Sequence, residues 1–323
     1  MTNVVKTATA AGMGGVLERL RSHTIAVLLL LLASFVLAIE IARPGTVNPT
    51  WASNIVMFAA PLGIMAAGQT LVMLTGGIDL SVASVATAAA YLMATHFSAG
   101  TASVLWGLAV GLTVGLINGL GVAVLRVQPL VMTLGTGLMT QGALVVYSQK
   151  MMAEEHHVPG FMVEIGAGKL GGVPVDLFLW APIAVAVIVI LKRTGYGRLL
   201  YAIGDNSNAC ELAGIRVWRV LLVNYLASSL LAALAGLVIA GSAGTAEMSL
   251  ADVFLLPSVA AVIIGGTSIF GGRGGYSGTI VGALILTVLN SILTLLDAPE
   301  PVRQILYGAI ILALAAAYTR ITE

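Results

Sequence analysis

The chain is a succession of long apolar runs separated by short polar or glycine-rich breaks, and charge is nearly absent within the runs. A bilayer core about 30 Å thick takes about 20 residues of helix to cross. Barrel strands would instead read as segments of about ten alternating residues. The runs here are continuous, so the pattern predicts helices, which also satisfy their own backbone groups in lipid. About ten spans are expected, at approximately residues 24–42, 54–74, 78–97, 103–125, 130–148, 176–191, 220–240, 253–270, 277–296 and 302–318. The sixth is short and contains Pro182. The expected fold is an all-α polytopic transmembrane helix bundle without a soluble domain. Residues 1–23 precede a membrane domain over residues 24–320.

Composition narrows the class. Charged residues make up 9% of the 323 and hydrophobic residues 59%, whereas soluble domains carry about 25% charge. So little charge excludes an ordinary soluble enzyme, a disordered chain and a nucleic-acid binder. The single Cys210 excludes a disulfide framework and a multi-cysteine metal site.

The cations give an orientation. With an even number of spans and both termini in the cytoplasm, Lys6, Arg19, Arg21, Arg126, Lys192, Arg193, Arg198, Arg216, Arg219, Arg273 and Arg320 lie inside. Arg43, Lys150, Lys169 and Arg303 lie outside, an asymmetry that obeys the positive-inside rule. An odd count would scramble it in one half. No small-x-small cleavage site separates the first span from Arg43-Pro44, so a retained anchor is expected there.

Small residues recur every four positions at Gly107, Gly111, Gly115 and Gly119, at Ser228, Ala232, Gly236, Ala240 and Gly244, and at Gly278 and Gly282. Such stripes let helix backbones approach closely and mark a compact bundle. The polar residues inside the runs, Gln69, Asn118, Gln141, Asn224 and Asn290, are all uncharged. A proton relay, a voltage sensor or an ion-coupled pump needs ionisable groups there. For each polar residue the ordinary reading is an interhelical hydrogen bond; the functional one is the lining of a path for a neutral, hydroxyl-rich solute. Asp79 lies in Thr75-Gly76-Gly77-Ile78-Asp79-Leu80-Ser81, where paired glycines break a helix. Asp79 or Ser81 can cap the next helix, or the break can line a path, as helix breaks do in transporters. Similar breaks stand at Gly265-Gly266-Thr267 and at Gly271-Gly272-Arg273-Gly274-Gly275.

Two loops are long. The outer one, about residues 149–175, holds Glu154, Glu155, His156, His157 and Glu164. Adjacent histidines point apart and lack the His-Glu-x-x-His spacing, so no metal site is expected. The inner one, about residues 192–219, contains a short helix. Asn208 and Glu211 are spaced as a capping box, Asp205 to Ser207 offer further caps, and Gly214 suits a left-handed terminus. Ala209, Leu212 and Ala213 are expected on its apolar face. No phosphate loop, Gly-x-Ser-x-Gly elbow or Cys-x-x-Cys is present. No catalytic residue or cofactor is expected, and active movement of a solute would draw its energy from another chain.

Three stretches then resemble one family. They are TLVMLTGGIDLSVASV at residues 70–85, KRTGYGRLLYAIGDNSNACELAGI at 192–215 and AAVIIGGTSIFGGRGGYSGTIVGALILTVLNSIL at 260–293. In this order, on this background, the chain resembles the permease subunit of a bacterial ATP-binding-cassette monosaccharide importer of the ribose/xylose/arabinose type. The resemblance implies a multi-pass protein of the bacterial inner membrane. Its partners would be a cytoplasmic ATP-binding-cassette ATPase, a periplasmic or lipid-anchored substrate-binding protein and a second permease copy as a homodimer. It assigns coupling to the ATPase to Gly204, Asp205, Asn206, Ser207, Asn208, Ala209, Glu211, Leu212 and Gly214. Gln69, Asp79, Ser81, Asn118, Asn224 and Asn290 are the candidates for the translocation path. The family's usual Pro-Glu-Ala-Ala-Arg is replaced by Ser207-Asn208-Ala209-Cys210-Glu211, which changes the charge order of the coupling loop. The rival readings are the same architecture carrying a nucleoside, a quorum signal or a cobalamin-like chelate, a stand-alone secondary carrier, and a membrane enzyme.

Overall fold

The computed structural model describes residues 24–150 and 157–322. The expected segment 1–23, with Lys6, Arg19 and Arg21, and Glu154, Glu155 and His156 of the outer loop lie outside the described residues. The helices in chain order are α1 (Thr24–Ala42), α2 (Pro49–Leu74), α3 (Val82–Thr95), α4 (Ser103–Ala123), α5 (Pro129–Lys150), α6 (Gly160–Ala167), α7 (Val175–Arg193), α8 (Gly195–Leu212), α9 (Val217–Ala243), α10 (Leu255–Ile264), α11 (Tyr276–Leu295) and α12 (Glu300–Thr322). Each of the expected apolar runs contains a helix. Among the described residues seven helices are long and apolar enough to cross a membrane: α1, α2, α4, α5, α7, α9 and α11.

Two expected spans are much shorter than their apolar runs. Helix α3 has 14 residues and α10 has 10, lengths of about 21 and 15 Å at 1.5 Å per residue. Neither reaches across about 30 Å of hydrocarbon. The rest of each run is glycine-punctuated loop, residues 75–81 before α3 and 265–275 after α10. The sixth span is longer than expected, because Pro182 is accommodated inside the 19-residue α7. The loop expected outside holds α6 and a minimal antiparallel hairpin in which Lys169 pairs with Pro174.

Helix α9 is central and packs against α2, α3, α4 and α6. The small-residue stripes explain how. A methyl group at Gly111 would stand 2.8 Å from both Ala233 Cβ and the Ser229 carbonyl, and one at Gly115 2.9 Å from Leu226 Cα. Gly236 lies against the backbone of Ala86 on α3. Gly278 and Gly282 lie likewise against Gly265 and Ala261. These seams have no room for a side chain, as expected where packing rather than hydrophobic transfer drives association. Large apolar side chains such as Leu30, Leu138 and Leu312 face outward, the arrangement a lipid environment requires.

Candidate functional site

The break between α2 and α3 is built around Asp79. Gly76 takes φ +78° and turns the chain out of α2. Gln69 on α2 then grips the backbone of Asp79 from both sides. Its Nε2 donates to the Asp79 carbonyl at 2.6 Å, and its Oε1 accepts from the Asp79 N–H at 3.2 Å. The carboxylate accepts three hydrogen bonds. Oδ1 receives the Ser81 N–H at 3.0 Å and the Ser81 hydroxyl at 2.6 Å, and Oδ2 receives the Ser228 hydroxyl of α9 at 2.9 Å. Asn118 on α4 donates to Ser81 Oγ at 2.9 Å and accepts from Thr136 on α5 at 2.6 Å. Thr133, one turn earlier on α5, accepts from the Leu80 N–H at 3.0 Å and contacts the Ile78 carbonyl at 3.1 Å. Gln69, Asp79, Ser81, Asn118, Thr133 and Ser228 are all fully buried.

The capping expectation is therefore half met. Ser81 holds the N-cap position of α3 but makes no side-chain cap; its hydroxyl turns back to Asp79. A buried carboxylate without a cation is costly unless donors surround it. Here hydroxyls and one backbone N–H fill that role. Asn224 is buried one turn away, donating to the Leu71 carbonyl at 3.0 Å and to Thr75 Oγ1 at 3.2 Å. The structure thus brings five of the six path candidates together at the end of α2. Asn290 is elsewhere. It accepts from Arg303 at 2.7 Å and lines a cavity of about 270 Å³ with Phe58, Glu300, Arg303 and Tyr307.

The inner-loop helix differs from expectation in three ways. Helix α8 starts at Gly195, where the Thr194 side chain accepts from the Gly197 N–H. It kinks at Asn206 (φ −156°, ψ 96°). Asn206, not Asn208, caps the second half, its Oδ1 accepting from the Ala209 N–H at 2.9 Å. The Asn208–Glu211 capping box does not form, and Glu211 meets Arg126 at 3.3 Å across the surface. Finally, the buried side of α8 is Leu200, Ile203 and Cys210, while Leu212 is 91% exposed and Ala209 and Ala213 face outward with it. The expectation for Gly214 holds. It takes φ +81°, and its N–H reaches the Glu211 carbonyl while that of Ile215 reaches Cys210, the hydrogen-bond pair of a Schellman end.

The three family-like stretches meet at one point. The Leu74 carbonyl, at the end of α2, accepts from the Gly272 N–H at 3.0 Å. Gly204 of α8 lies against both of these atoms, with no space for a β-carbon. Tyr201, one turn earlier, donates to the Gly274 carbonyl at 3.0 Å. Burial pushes the Tyr201 phenol above its ordinary pKa, so it stays a donor. Thr70 on α2 meets Thr279 on α11 at 2.9 Å between hydroxyls. Gly204 and Asp205–Gly214 thus have different settings, the first wedged into both helix breaks and the rest, apart from Cys210, in the open. Sequence reasoning did not single out Tyr201, Thr70, Thr279, Thr133 or Thr136. Thr70, Tyr201 and Thr279 lie within the family-like stretches without standing out from their neighbours there, and a hydroxyl within an apolar run was the only signal at Thr133 and Thr136.

Comparison with known proteins agrees in one direction. Residues 51–315 match the family described as branched-chain amino acid transport system / permease component. The chain is 33% identical over 285 residues to a ribose import permease protein of Bacillus subtilis (strain 168), covering 86% of this chain and 87% of that one. It is 34% identical over 290 residues to a ribose import permease protein of Escherichia coli (strain K12), covering 85% and 89%. It is 32% identical over 309 residues to a fructose import permease protein of Rhizobium meliloti, covering 92% and 86%. No solved structure matches the chain.

Proposed function

The chain belongs to the permease components of ATP-binding-cassette importers, multi-pass proteins of the inner membrane, and we propose that it carries a monosaccharide or related polyol inward with energy from a separate ATPase. Relatives with named cargo include permeases for the import of ribose, fructose and galactofuranose. In this reading the chain makes ten crossings, those of α3 and α10 being completed by the glycine-rich loops that adjoin them, with both termini cytoplasmic. Helix α8 then lies on the cytoplasmic side. A substrate-binding protein docks on the opposite face, and a second copy of the chain completes the path.

The observation that carries the proposal is the seat of α8. Its exposed second half ends in a bare Leu212, and its first half is wedged by Gly204 between the ends of two broken helices. A push on the exposed half therefore reaches α2 and the 265–275 loop through backbone contacts. The Asp79 cluster ties that point to α4, α5 and α9. Asn290 and Arg303 face the path near its other end.

Leu212→Arg is the direct test. The side chain touches little of its own chain, so the variant is expected to fold and insert normally. It is expected to lose both co-purification with the ATPase and sugar uptake. Normal association and uptake in this variant would sink the proposal. A secondary carrier would instead show uptake in proteoliposomes without any ATPase.

A further inference from the structure

A second cavity, of about 320 Å³, lies where α7 ends and α11 begins. It is separate from the Asp79 cluster and from the cavity beside Asn290. Two cations line it, Lys192 at the end of α7 and Arg273 in the glycine-rich loop, and no acidic residue does. Among the described residues no acid pairs with either cation. The backbone of Gly274 and Gly275 and the first turn of α11 complete the wall. That turn carries no side-chain cap. Ser277 sits on it, and no hydrogen bond engages its hydroxyl among the described residues. The opposite wall is Ile25, at the start of the apolar α1.

We propose that this cavity binds the phosphate group of an anionic phospholipid. Two unpaired cations at a membrane edge, with room between them for a headgroup, match an anion carrying one negative charge or more. Basic pockets between membrane helices suit such headgroups. The uncapped N-terminus of the 20-residue α11 adds backbone N–H groups and a favourable dipole. The hydrophobic wall at Ile25 continues onto the exposed Leu29 and Leu30 of α1, along which acyl chains can lie. A free phosphate shares the headgroup chemistry but has no use for that wall. Tyr201 also lines the cavity and is bonded to Gly274. An occupied cavity would therefore brace α8 against the glycine-rich loop. The proposal needs only a membrane edge here, so it stands or falls apart from the transport reading.

The test uses the purified full chain, delipidated in neutral detergent. Native mass spectrometry and thermal melting are followed with short-chain phosphatidylglycerol, with phosphatidylcholine and with inorganic phosphate. Phosphatidylglycerol is expected to bind with a preference of at least about tenfold over phosphatidylcholine, and the K192Q/R273Q double variant to weaken it by about thirtyfold. Arg219→Gln, outside the cavity, is expected to leave it unchanged. Should the double variant fold poorly, Ser277→Asp replaces it. An acid in the first turn favours the helix yet repels the anion, so the fold is kept and binding is lost. Displacement by millimolar phosphate would identify the phosphate group as the recognised moiety; no displacement, with a retained lipid preference, would place the acyl contacts beside it. Equal binding of both lipids, or an unchanged preference in both cavity variants, would overturn the proposal.

Discussion

Gly204→Ala is the sharpest perturbation available. A β-carbon there would overlap the Leu74 carbonyl and the Gly272 backbone nitrogen and lie 3.1 Å from Gly272 Cα. All three atoms are backbone, so no rotamer change relieves the clash. Either α8 moves off the breaks or the Gly272–Leu74 hydrogen bond opens. Overpacking of this kind costs about 1–3 kcal/mol, and the lost bond about 1 kcal/mol more, for a total of about 2–4 kcal/mol. The loss falls on the seat of α8, because the helices that would cross the membrane keep their own contacts. The expected result is an inserted protein with a lowered melting temperature that still binds the ATPase but no longer couples hydrolysis to uptake. Gly135→Ala is the control. Nothing lies within 4 Å of that position, so the change is expected to be neutral or to stabilise α5 by about 0.5–1 kcal/mol. Wild-type melting and uptake in Gly204→Ala would refute the wedge.

Other substitutions follow from the same geometry. Asp79→Ala leaves the Ser81 N–H, the Ser81 hydroxyl and the Ser228 hydroxyl without their acceptor, at about 1–3 kcal/mol each, and is expected to abolish stable expression; Asp79→Asn keeps an acceptor and is expected to melt between the two. Gly111→Val drives a branched side chain into Ala233 and the Ser229 backbone and is expected to destabilise the protein by about 3 kcal/mol or more, read as loss of monodisperse protein in gel filtration. Glu211→Gln removes an ion pair whose side chains are 78% and 46% exposed. Its effect on melting is expected to be below about 1 kcal/mol and to vanish in high salt.

Much of the bundle was legible because a membrane enforces the pattern. Apolar runs of the right length become helices when no water is present to satisfy the backbone. The same signal misjudged α3 and α10. Ile78, Leu80, Ile269 and Phe270 are as apolar as the helices beside them, so hydropathy does not register where the helix stops. Glycine pairs marked those breaks, but their meeting at Gly204 depends on contacts between residues about 130 and 70 positions apart, which no local rule carries. The cap of α8 was misplaced for a related reason. Asp205, Asn206, Ser207 and Asn208 are all competent caps, and the wedge at Gly204 fixes which of them can turn. It also sets the rotation of the helix, turning Cys210 inward and Leu212 out. Ser228 was read as one of a run of small residues, while its hydroxyl serves Asp79.

The glycine stripe of α4 has a practical consequence for measuring motion. Gly111, Gly115 and Gly119 bring α4 against α9 backbone to backbone, and such a seam cannot slide without climbing over its own carbonyls. The two helices must travel as one body through any cycle of the protein. A pair of spin labels placed on the outer flanks of α4 and α9 is then an internal ruler whose distance stays constant. Distances from either label to a third one elsewhere in the bundle can then be read against it.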